Sequence, residues 1–94
     1  MRVKLGIMEF GRLLNIEPID PNNENEIKEC LRYLKSKIET QITLGNAEWI
    51  NENQINIDIK ALKQLIETAL ITQGVKNWKE TAETKIKELL KPGK

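Results

Sequence analysis

Apolar residues return at spacings of three and four over most of this chain, which is the period of one face of an α-helix. The most regular run is Asp58 to Gly74, where Ile59, Leu62, Leu65, Ile66, Ala69 and Leu70 make one stripe. At about 100° per residue they fall within an arc of roughly 140°, a normal width for a core-facing face. Asn56 or Asp58 is placed to cap the start. Gly74 suits a left-handed residue just past the end. A second run, Asn22 to Leu44, carries Ile27, Cys30, Leu31, Leu34, Ile38 and Ile42 on one side, and Gly45-Asn46 ends it. Asn23 followed by Glu26 has the spacing of a capping box. A third run, Asn77 to Lys91, carries Val75, Trp78, Ala82, Ile86, Leu89 and Leu90, with Asn77 and Glu80 at the same cap spacing and Pro92-Gly93 as its stop.

The remaining segments carry weaker patterns. Val3, Leu5 and Ile7 alternate with Arg2, Lys4 and Gly6, as in a strand, while Ile7, Phe10, Leu13 and Leu14 have helical spacing. Gly6 and Gly11 weaken both patterns. The segment reads as an extended or frayed lead-in followed by a short helix from Ile7 to Asn15. Residues 17–25, EPIDPNNEN, read as a surface loop, because two prolines and a cluster of Asn and Asp favour turns. Ala47 to Gln54 reads as a single helical turn with Trp49 covering one end of the core, after which Asn51, Asn53 and Asn56 return the chain to a loop before the central helix. These elements together predict one all-α domain spanning residues 1–94. Its architecture is a small antiparallel bundle of three main helices plus one or two short ones.

Composition narrows the chemistry. Apolar residues make up 39% of the chain and charged residues 31%, with a formal net charge of +1, a profile of ordinary globular character. There are only two tryptophans, one tyrosine and one phenylalanine, so the core must be built from aliphatic side chains. No apolar run approaches the length of a membrane span, and the first ten residues lack the sustained apolar stretch of a signal peptide. The single cysteine, Cys30, fits a reducing compartment, and a cytoplasmic location is expected. The chain has no histidine, which removes the commonest general base and the commonest metal ligand. Cys30 lies on an apolar stripe with nothing to activate it. The glutamates of the helices, Glu26 and Glu29, then Glu80, Glu83 and Glu88, mostly sit beside lysine or arginine at helical spacing, as solvated faces do. No phosphate-binding glycine loop is present. No cofactor, metal or small-molecule substrate is expected.

The function these observations favour is a non-enzymatic helical module for protein–protein interaction, or a small accessory subunit, with a protein partner or self-association. Ile71, Val75 and Leu90 fit least well within single stripes and are the expected partner-facing apolar positions. The alternative is a nucleic-acid-binding accessory protein. From Gly74 onward six lysines stand against three glutamates, and Lys76, Lys79 and Lys87 are placed to meet phosphates. Glu9 to Ile16 looks like the first helix of a helix-turn-helix unit, but the proline-containing loop stands where a turn of about three or four residues is needed.

Overall fold

A computed structural model describes residues 1–91 and corrects the fold class: the chain is not an all-α bundle. Its described residues combine four helices with a three-stranded antiparallel sheet. In chain order the elements are β1 (Arg2–Gly6), α1 (Ile7–Leu13), α2 (Glu24–Thr43), β2 (Ala47–Asn51), β3 (Gln54–Asp58), α3 (Ile59–Thr72) and α4 (Trp78–Leu90). The expected stop at Pro92-Gly93 lies outside the described residues.

The sheet order is β1-β3-β2, with β3 antiparallel to both neighbours. Its inner face is made by the alternation that the first residues displayed. Leu5 stands opposite Ile55 and Val3 opposite Ile57, while Ala47 and Trp49 continue the same two rows on β2. Its outer face is polar: Lys4, Asn56 and Glu48 share a row, and Asn56 donates to the Glu48 carboxylate at 3.3 Å. Such one-sided alternation belongs to an antiparallel sheet with one face on the core and the other in water. The segment read as a helical turn is therefore strand β2, the loop expected before the central helix is strand β3, and the expected lead-in is strand β1. Trp49 lies on the inner face, half-buried, and its indole N–H donates to Glu39 of α2 at 2.9 Å.

The helices cover the inner face. Leu5, Ile55 and Ile57 meet Phe10 and Leu14 from the α1 region, Leu34 and Ile38 from α2, and Leu62, Ile66 and Leu70 from α3. Ala82 and Ile86 bring α4 onto this core, and among the described residues no polar side chain is buried in it.

Local chemistry sets the helix ends. Asp58 finishes β3 and caps α3, its carboxylate accepting from the N–H groups of Lys60 and Ala61. Asn23 caps α2 by accepting from Asn25 and Glu26. Asn77 makes no such bond at α4, so the cap spacing there is not used. The C-termini of α1, α2 and α3 share one closure. Asn15, Gly45 and Gly74 have positive φ, and the next residue in each case donates its N–H back to Gly11, Gln41 or Leu70. That six-to-one bond and left-handed residue define a Schellman motif, which often carries an apolar contact at the following position. Ile16 and Val75 occupy that position after α1 and α3, and both pack against the core.

Candidate functional site

The connection 14–23 between α1 and α2 is pinned at its base. Glu26 accepts from the Asp20 N–H at 2.8 Å, and Asp20 accepts through its carboxylate from Asn22 and through its carbonyl from Asn23. Glu26 thus serves the loop rather than completing a reciprocal box with the Asn23 backbone. Pro18 and Pro21 fix φ on either side of the tip. The consequence is an isoleucine with nowhere to hide: Ile19 is 96% exposed.

Two open depressions flank this loop. The first, about 590 Å³, lies between α1, the loop and the start of α2; Met8, Pro18, Pro21, Ile27 and Leu31 give it an apolar lining, with Arg12 among its edge residues. The second, about 550 Å³, includes Pro18, Ile19, Cys30 and Tyr33. Pro18 borders both. Met8 and Tyr33 are themselves exposed, so the apolar surface runs from α1 across the loop to α2. Polar chemistry does not converge in the first groove. The Glu9 carboxylate is bonded to the Gly6 N–H, and the Asn53 carbonyl accepts from Ile7.

No family model, curated protein or solved structure matches this chain. The functional reading therefore rests on its own geometry.

Of the positions expected to face a partner, Ile71 and Val75 flank the C-terminal closure of α3, while Leu90 ends α4. Val75 is half-buried as the apolar residue of the α3 closure. Ile71 and Leu90 are exposed. Ile71 belongs to the last turn of α3, whereas Leu90 is the last residue of α4, a helix about 18 Å long between its first and last Cα at 1.5 Å rise per residue. Lys76, Lys79 and Lys87 are all exposed. Glu83 stands four residues from both Lys79 and Lys87 and pairs across to Lys63 of α3 at 3.7 Å, so this strip alternates in sign. Lys85 points elsewhere. Its ammonium donates to the Leu13 carbonyl and to Asn15 Oδ1, both at 2.9 Å, closing the negative end of α1. Partial burial lowers its pKa from the ordinary lysine value. Gln73 completes this junction by donating to the Leu14 carbonyl.

Cys30 sits half-buried with its Sγ 3.8 Å from the Ile16 carbonyl. Burial, with the Glu17 carboxylate nearby, raises its pKa. Since the thiolate is the nucleophile, this environment suppresses reactivity. The expected result is slower alkylation by iodoacetamide in the folded chain than in urea, with a pH midpoint above that of the unfolded thiol. Equal rates and midpoints in the two states would contradict the placement. Among the described residues, no three Asp, Glu or Cys side chains gather to hold a metal. No described helix is long and apolar enough to cross a membrane.

From sequence, residues 17–25 read as a plain connection rather than a contact loop, and Ile19 itself was not singled out. The available signal was an isolated apolar residue, held between Pro18 and Asp20, that belonged to no stripe.

Proposed function

We propose that this domain is a non-enzymatic protein-interaction module that docks through the apolar face formed by α1, the loop 14–23 and α2. The observation that carries this reading is Ile19, held out by a pinned loop beside a groove lined by Met8, Ile27 and Leu31. An apolar residue kept in water by a structured loop contributes nothing to the core, and contiguous exposed apolar surface marks interaction sites. Apolar lining without convergent polar groups suits side-chain anchors of a protein better than a small polar substrate.

A selection of short peptides from a random displayed library tests it. Enriched peptides should carry an apolar anchor and shift the amide resonances of Met8, Ile27 and Leu31. Ile27→Glu, at a half-buried rim position, should abolish those shifts while the remaining spectrum stays folded. Shifts confined to α3 and α4 would place the docking face at Ile71 or Leu90 instead.

The nucleic-acid alternative rests on Lys76, Lys79 and Lys87. The interleaved Glu83 and its pairing to Lys63 count against a continuous track for phosphates. The α1–α2 unit also departs from a helix-turn-helix, because residues 14–23 replace the short turn and the first turn of α2 carries Glu24 and Glu26. Salt-sensitive binding to duplex or single-stranded oligonucleotides, lost on Lys79→Glu, would favour this alternative.

A further inference from the structure

The docking face holds a projection and a recess side by side, and this suggests its occupant. Building on the interaction reading above, we infer that the partner is a second copy of this chain, joined by a two-fold axis so that Ile19 of each copy enters the groove of the other. A two-fold interface uses one patch twice, so that any residue i meeting j is matched by j meeting i. A patch made only of recesses cannot pair with itself, whereas this one carries its own plug. Ile19 stands 96% exposed on a loop tied down by the Asp20–Glu26 and Asn22–Asp20 hydrogen bonds. Beside it the groove of about 590 Å³ presents Met8, Ile27 and Leu31, with ample room for one isoleucine side chain. A loop already held in its docking shape loses little freedom on association.

Charge follows the same division. The projecting loop carries the exposed Glu17, and the exposed Asp20 with one carboxylate oxygen on the Asn22 N–H, and the recess is edged by the exposed Arg12. Arg12 has no carboxylate within ion-pair distance among the described residues. The other acid at the recess, Glu9, is occupied by the Gly6 N–H. Two-fold pairing brings the acidic loop of each copy to the arginine of the other, twice per dimer. Complementary charge of this kind fixes register and excludes wrong partners.

Sedimentation equilibrium of the full chain over a wide concentration series, at low and moderate salt, tests the inference. The wild type should approach twice the protomer mass, with weaker association as salt rises. Ile19→Asp, at a position with no core contact, should raise the dissociation constant roughly tenfold or more, as removal of a central anchor does. Arg12→Glu should weaken self-association, and combining it with Glu17→Arg should restore much of it, a rescue that a general loss of stability would not give. Ile71→Asp should leave the equilibrium unchanged.

A monomer at every concentration overturns the second-copy inference. So does a dimer indifferent to Ile19→Asp, or one broken by Ile71→Asp. The two readings separate through the peptide experiment. A monomer that binds apolar-anchored peptides at Met8, Ile27 and Leu31 keeps the interaction face and rejects the self-partner; a monomer that binds none rejects both.

Discussion

Replacing Phe10 by alanine should lower the unfolding free energy by about 3–5 kcal/mol, the range for truncating a buried aromatic side chain. Phe10 is fully buried and is the chain's only phenylalanine. It comes from a helix of just seven residues, too short to hold its shape without tertiary contacts. Its ring joins the cluster that includes Leu5 and Ile55 of the sheet and Leu34 and Ile38 of α2. Removing the ring therefore opens a cavity where sheet and helix layers meet, and the surrounding aliphatic side chains are held by two strands and two helices that collapse only in part. Domains of this size have about 5–15 kcal/mol in all, so the variant should lose a large share of its stability. Urea unfolding followed by Trp49 and Trp78 fluorescence reads the change, with an unaltered slope as the sign that the same surface is still exposed on unfolding. A loss under about 1 kcal/mol would mean that the ring is peripheral and that the helix layer is organised elsewhere.

The helices were legible because each carries several independent signals. In α3 the three-four spacing, the Asp58 cap and Gly74 agree, and the element runs Ile59–Thr72 as that agreement implies. The strands each offered one signal in competition with another. Leu5 and Ile7 alternate as a strand does, yet Ile7 is also the first residue of α1, and the two glycines weigh against any regular element. In β3, Ile55 and Ile57 alternate with Asn56 and Asp58, residue types depleted in strands and favoured in caps. Asp58 performs both roles, so reading it as a cap hid the strand that ends there. The hairpin Asn51–Gln54 lacks glycine, removing the strongest short-range hairpin cue. β1 and β3 also pair across some fifty residues, a relation that no local window contains.

The candidate face was less legible than the fold, for a related reason. Ile19 sits alone among polar residues in the chain, and Met8 and Tyr33 belong to different helices. Their adjacency is made by the packing of α1 on α2 and by the hydrogen bonds that pin the loop, neither of which has a periodic signature. Val75 shows the converse. It looked unpartnered in a stripe because its role is set by the Schellman closure of the preceding helix rather than by α4.

The same α1–α2 junction yields the second large expected effect, one in which two principles predict opposite signs. Gly11 lies inside α1 and does not have positive φ, so by helix propensity alone Gly11→Ala should stabilise by roughly 0.5–1 kcal/mol. Packing opposes it. A Cβ at this position would come within 2.8 Å of the Ile16 carbonyl oxygen and 2.8 Å of a Leu34 methyl. Leu34 is fully buried, leaving its side chain little room to turn away. The Ile16 peptide is held as well: its N–H donates to the Gly11 carbonyl at 2.8 Å, and its carbonyl faces the Cys30 thiol. Relief requires α1 to move off α2 or the Schellman closure at Asn15 to open. Overpacking of this sort costs about 1–3 kcal/mol, which exceeds the propensity gain, so Gly11→Ala should destabilise on balance. Gly11→Val adds two methyls and loses the propensity advantage, and it should cost more than alanine. Denaturant midpoints for wild type, Ala and Val should therefore fall in that order. Should alanine stabilise the chain instead, α1 and α2 would have to stand farther apart than this fold places them, and the groove beside Ile19 would change shape with them.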